Sequence, residues 1–144
     1  SRYALLHDHA VVHRSKRMNA AVLLLLCALA GGVGATLRSW TVHALTDVRG
    51  IMLWKTLLLI NVLGCAAGGI CAAVMPRIDH SGVLTLLAIS GVLGGFTTFS
   101  SYAVECVEQW QRGRRRLSAA YAVGSIVACT ACAYAGFALA GGAS

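Results

Sequence analysis

Charge is what this 144-residue chain has least of: 12% of its residues are Asp, Glu, Lys or Arg, against roughly 25% in a soluble globular domain. With 58% hydrophobic residues and a mean hydropathy of +0.72, that scarcity excludes an ordinary soluble domain and points to a membrane protein. Acidic residues are rarer still. They are Asp8, Asp47, Asp79, Glu105 and Glu108, and none lies inside an uncharged apolar run, which leaves a proton-coupled antiporter without a membrane carboxylate. There is a single proline. No Ser-His-Asp arrangement, HExxH or phosphate-cradling glycine loop is present, so no enzymatic activity is expected. No internal repeat is visible either, so any pseudo-symmetry must come from a second subunit.

What is present in quantity is uncharged length. Met18–Leu37, Thr56–Pro76, His80–Val104 and Leu117–Ser144 carry no Asp, Glu, Lys or Arg, and each approaches or exceeds the roughly 20 residues that an α-helix needs to cross a bilayer. Backbone amides must be satisfied internally in lipid, so these runs are expected to be helices. The first run follows RSKR and imitates a secretory signal peptide with ALA as a cleavage site. The apolar character continues through GGVGATLRSW, however, and we read it as a first transmembrane helix. Met18 resembles a translation start. Residues 1–17 are read as an N-terminal extension, disordered or an artefact of the start site, with His7, His9 and His13 in its tail; residues 18–144 form the membrane domain.

The net charge of +7 suggests nucleic acid until its placement is considered. Arg14, Lys16 and Arg17 precede the first run, Arg49 and Lys55 follow it, Arg77 follows the second, and Arg112 and Arg114–Arg116 follow the third. These are headgroup positions, where basic side chains snorkel and meet anionic lipid. The expected partner is the lipid bilayer, with no nucleic acid. Five basic residues fall on one side of a four-span topology and seven on the other, counting Arg38. The bias is weak under the positive-inside rule, so the chain could insert both ways. Of six cysteines, five lie inside apolar runs, where thiolate is heavily penalised. We read them, the Cys129–Cys132 CxxC included, as small packing residues.

Three features cost energy. Asn61 sits in a run of Leu, Ile and Val and must find a partner or line a wet cavity, where its NH₂ would donate to an anion. Arg38 ends the first run, snorkelling to the interface or lining a vestibule that gathers anions. GGFTTFSSY combines Gly94 and Gly95, which weaken a helix, with Thr97, Thr98, Ser100 and Ser101, which can satisfy backbone groups freed by a break. Broken membrane helices are where ion sites are built. Phe99 and Tyr102 share a helix face, and their ring edges are electropositive. Gly64 and Gly68 form a small-xxx-small pair suited to close helix packing.

GATLR (Gly34–Arg38), NVLG (Asn61–Gly64), GGFTTFS (Gly94–Ser100) with Glu105 downstream, and Tyr121 followed by Ser125 together resemble the Fluc (CrcB) family of fluoride ion channels. The resemblance implies an all-α membrane protein with four transmembrane helices, the third broken near its middle, assembled as an antiparallel, dual-topology homodimer in the bacterial plasma (inner) membrane. It implies passive, fluoride-selective efflux that protects against fluoride toxicity, along Asn61, Phe99, Tyr121 and Ser125, with Ser100 and Ser101 as a polar track. Arg38 matches the family's vestibule arginine and Glu105 its acid near the end of the third helix. A structural Na⁺ is implied at the dimer centre on the main-chain carbonyls of Gly94 and Thr97. The family's TFSTF reads TFSSY here, so Tyr102 takes the place of a second pore phenylalanine and brings a hydroxyl that could donate to fluoride. The alternative reading is a small multidrug-type four-helix exporter, and a third is a structural membrane subunit.

Overall fold

The computed structural model describes the backbone of residues 2–79 and 81–141, and side chains from residue 20 onward within them. His7, His9, His13 and the basic residues up to Arg17 therefore have side chains outside the described residues.

All regular structure among the described residues is helical. α1 (Arg2–Val42) continues into a π-helical segment, His43–Val48. α2 covers Leu53–Ile78. The third span begins as α3 (Val83–Thr85), widens into a π-helical stretch (Leu86–Leu93), returns to α4 (Gly94–Phe96) and ends as α5 (Phe99–Gln111). α6 covers Arg115–Leu139. The backbone of 2–17, set apart above as an extension, is the first part of α1. Four segments are long and apolar enough to cross a membrane: Ala20–Val48, Leu53–Ile78, Val83–Gln111 and Arg115–Leu139. Leu24, Leu25, Val127 and Leu139 on their outer faces are exposed, an arrangement that suits lipid and not water. The chain is a multi-pass membrane protein.

The spans run past the ends of the uncharged runs, the second taking in Lys55 and Arg77 and the fourth Arg115 and Arg116. The first passes Arg38 and ends at Val48, and the third passes Val104 and ends at Gln111. Glu105 and Glu108 are thus inside a spanning helix, which corrects the expectation that no span holds a carboxylate. Charge did not end these helices because Arg38 and Glu105 face protein surfaces and a cavity.

Helices one and three run side by side in parallel, as do two and four. Trp54 meets Tyr121 near the start of α2 and α6, and at their far ends Arg77 donates to the carbonyl of Gly141 at 2.6 Å. That contact also satisfies a helix-terminal carbonyl with a cation. Between these ends the two backbones touch: a Cβ on Gly69 would overlap the Ala133 carbonyl, and one on Gly136 the Ala66 carbonyl. The other pair packs equally closely. A Cβ on Gly34 would overlap the Val92 carbonyl oxygen, and one on Gly95 the Gly31 carbonyl oxygen. In lipid such packing replaces the hydrophobic drive between helices. Gly64 and Gly68 both face the third span, Gly64 against Thr97 and Gly68 against Leu93.

The second connection is organised by Asp79, almost wholly covered by its own turn. Its carboxylate accepts from the Thr85 amide (2.8 Å), the Ser81 hydroxyl (2.7 Å), the Thr85 hydroxyl (3.0 Å) and the Gly82 amide (3.1 Å). The Thr85 amide, then the Ser81 hydroxyl, hold its pKa at about 2 instead of 3.8, with desolvation opposing them. A folded pKa below the unfolded one means stability that is fully present above about pH 4 and lost as pH falls towards 2. In detergent, wild type should therefore melt above Asp79→Asn at neutral pH, and the gap should close on acidification through that window. A gap independent of pH would show that the charge is not what matters.

Candidate functional site

The third span does not give way where its glycines are. Gly94 is helical (φ −62°, ψ −37°), and Gly94–Phe96 form α4. The backbone turns extended two residues later, at Thr97 (φ −73°, ψ 159°) and Thr98 (φ −147°, ψ 118°). The sequence-based assignment of the glycines to an interruption is therefore corrected: Gly95 is small because the Gly31 backbone lies against it.

All four main-chain polar groups of Thr97 and Thr98 have partners. The Thr97 amide donates to the Leu93 carbonyl at 2.9 Å, and the Thr97 carbonyl accepts from Arg38 Nη1 at 3.1 Å. The Thr98 amide donates to Asn61 Oδ1 at 2.8 Å, and Asn61 Nδ2 donates to the Thr98 carbonyl at 3.1 Å. Asn61 thus does for Thr98 what a neighbouring strand would do, which explains an amide among aliphatic residues. It keeps a second N–H. The Thr98 hydroxyl caps α5, accepting from the Ser101 amide at 3.2 Å.

Two cavities flank this interruption. The first, about 320 Å³, is lined by Asn61, Thr97, Thr98, Phe99, Tyr102 and Ser125, with Cys65 and Cys129. Rings step away from it: Phe99 to Tyr102 at 5.6 Å, Tyr102 to Tyr121 at 5.4 Å, and Tyr121 to Trp54 at 6.0 Å, edge-on. The Tyr102 hydroxyl donates to the Ala122 carbonyl at 2.8 Å, so the group free on paper is spent on α6, and the ring is what faces the cavity. Tyr121 and Ser125, one turn apart on α6, are buried. Neither the Tyr121 hydroxyl nor the Ser125 Oγ has a hydrogen-bond partner among the described residues. Leaving such a group unpaired costs about 1–3 kcal/mol.

The second cavity, about 580 Å³, gathers Arg38, His43, Asp47, Ser100, Ser101, Glu105 and Glu108. His43 Nδ1 lies 2.8 Å from Asp47 Oδ2 on the exposed rim. Glu105 is 3% exposed and accepts from Gln109 Nε2 at 2.6 Å. The residues read as one track are therefore divided: Asn61, Phe99, Tyr102 and Ser125 on one chamber, Arg38, Ser100, Ser101 and Glu105 on the other.

The Gly94 and Thr97 carbonyls fit a hard cation in one respect. Their helical partners would be the Thr98 and Ser101 amides, which go to Asn61 and to the Thr98 hydroxyl, leaving oxygen donors of the kind that alkali and alkaline-earth ions take. At Thr97 the Arg38 guanidinium already donates to the same oxygen. Neither His43, Gln109 nor the Cys65–Cys129 pair stood out in the sequence, and Thr98 did so only among the hydroxyls of the break; the signal for its cap role was a threonine just ahead of a helical run, the usual residue type of an N-cap.

Residues 25–137 match the family described as CrcB-like protein, Camphor Resistance (CrcB). The chain belongs to this family. Relatives named Fluoride-specific ion channel FluC agree with it: that of Novosphingobium aromaticivorans is 40% identical over 104 residues, 70% of this chain and 82% of the relative. That of Mesorhizobium japonicum is 35% identical over 105 residues, 72% and 84% of the two chains. That of Rhizobium leguminosarum bv. trifolii is 35% identical over 120 residues, 80% and 93%. In this CrcB-like chain the matched segment takes in the whole interruption and both cavities.

Proposed function

We propose that the chain is a fluoride-selective channel that lets F⁻ run passively out of the cell and so protects against fluoride toxicity. The observation that carries this reading is the pair of buried, unpaired hydroxyls, Tyr121 and Ser125, on the same helix face beside a cavity whose amide, Asn61, retains an N–H. A small anion that accepts hydrogen bonds is the ligand such a wall lacks. Relatives named as fluoride-specific channels support the same ion.

Arg38 concentrates the anion in the second chamber through its field. Hydroxyls of Ser100 and Ser101 replace part of the ion's water. Asn61, the ring edges of Phe99 and Tyr102, and the Ser125 and Tyr121 hydroxyls replace the rest, as weak sites in series that permit both entry and exit. Such a conduit performs no covalent chemistry and is not an enzyme.

The finer reading is an antiparallel, dual-topology homodimer in the bacterial inner membrane, with a Na⁺ held between subunits by the Gly94 and Thr97 carbonyls. That ion would supply a fixed positive charge at the interruption. Exposed Phe99 (79%) and the near-balanced loop charges support pairing with an inverted copy. Crosslinking in membranes with and without Na⁺ tests it: the crosslinked dimer should weaken when Na⁺ is replaced by a bulky organic cation.

One observation favours the exporter instead, the buried carboxylate of Glu105 inside a spanning helix. A liposome assay separates the two. We expect F⁻ efflux, followed with a fluoride electrode, to need no proton gradient and to survive in Glu105→Gln. Efflux that requires a proton gradient, or none from well-folded protein, would sink the channel.

A further inference from the structure

The first cavity has a feature that anion conduction does not use. Cys65 of α2 and Cys129 of α6 both line it, each one turn before the point where these parallel helices touch, Gly69 against the Ala133 backbone. Both are free thiols. Their separation is held by the closest helix contact in the protein's α2–α6 pair, where Gly69 lies on the Ala133 backbone and Gly136 on that of Ala66. Two sulfurs on closely packed helices, facing one cavity, are ligands already in place.

We propose that Cys65 and Cys129 form a two-coordinate site for a thiophilic cation of the Cu(I), Ag(I) or Hg(II) class, and that loading this site blocks the pathway. The block rests on the channel reading given above; the metal site does not. The ligand count selects the class. Among the described residues no group of three or more His, Cys, Asp or Glu side chains could hold a metal, which removes a tetrahedral zinc site. Sulfur donors disfavour Na⁺, Mg²⁺ and Ca²⁺, and soft ions that accept thiolate remain. Binding is a ligand exchange without redox change: each thiol releases its proton, the ion gives up two of the ligands it arrived with (two chlorides from HgCl₂), two metal–sulfur bonds form, and α2 is tied to α6. The bridge lies across the wall that holds Asn61 and Ser125, narrowing the space through which the anion passes.

The test uses the full chain in liposomes with HgCl₂ as probe, which is neutral in chloride buffer and reaches both membrane faces. A variant keeping only Cys65 and Cys129, with Cys27, Cys71, Cys106 and Cys132 changed to Ala, is the parent. It should gain one Hg and lose two protons per chain by intact mass, as thiolate ligation requires. Its F⁻ efflux should slow roughly ten-fold as the pore is obstructed, and dithiothreitol should restore it. In that parent, Cys65→Ser, Cys65→Ala and Cys129→Ser leave one thiol, so each should gain HgCl for one proton instead of bare Hg for two, and its efflux should slow far less. A parent that gains HgCl groups on separate thiols instead of one bare Hg, or takes up no mercury, overturns the site; a bridged parent whose efflux is not slowed, or single-thiol variants slowed as much as the parent, overturns the block. A parent that never conducts yet still takes up mercury leaves the site standing and fails the channel reading.

Discussion

Asn61→Leu should abolish fluoride efflux and also lower stability, whereas Asn61→Asp should abolish efflux with a smaller loss of fold. Leucine fits the surrounding aliphatic run but strands the Thr98 amide and carbonyl, at about 1–3 kcal/mol each. Aspartate still accepts from the Thr98 amide, so one of the two contacts now at 2.8 and 3.1 Å survives. It places a negative charge in the anion's path, however. At about 4 Å and an effective dielectric constant of about 20, like charges repel by roughly 4 kcal/mol, about a thousand-fold in occupancy. Fluoride-electrode traces from liposomes and melting curves in detergent read the two effects separately. Wild-type efflux from Asn61→Leu would remove Asn61 from the pathway altogether.

Gly34→Ala should be the most damaging methyl addition on the first span, and Gly32→Ala among the mildest. A Cβ at Gly34 meets the Val92 carbonyl and the Phe96 amide, both backbone, while one at Gly32 meets nothing within 4 Å. Backbone cannot rotate aside as a side chain does, so the helices must part. Overpacking of this kind costs about 1–3 kcal/mol. Because Arg38 follows one turn later and bonds the Thr97 carbonyl, separation also loosens the interruption. At Gly32 the same change improves helix propensity by up to about 1 kcal/mol. The yield of monodisperse protein and the efflux rate should both fall for Gly34→Ala and hold for Gly32→Ala; equal behaviour of the two would contradict the packing described.

Much of this was legible in the chain. Uncharged runs gave four spans because lipid imposes a length and a polarity on each of them. Asn61 and the hydroxyl cluster stood out for the same reason: polar groups are costly there. The ends of the spans were less visible, since a charge stops a membrane helix only when it has nowhere to go, and Arg38 and Glu105 each had somewhere. Which residues meet was the least visible. Asn61 and Thr98 are separated by 37 residues, Arg38 and Thr97 by 59. No local pattern encodes such pairings, and glycines that serve close packing look like glycines that weaken a helix. That Cys65 and Cys129 line one cavity was hidden in the same way, and both were read only as small packing residues.

The four partnered groups of Thr97 and Thr98 carry a consequence for motion. Their bonds end on Leu93 of the same span, on Asn61 of α2 and on Arg38 of α1, so three spans would have to yield together before this short extended piece could swing. Local opening of a segment so anchored belongs with rare, cooperative excursions and not with loop flicker. An ion passing here would meet a still wall, and its speed would be set by the wall's chemistry instead of by a door that opens and shuts.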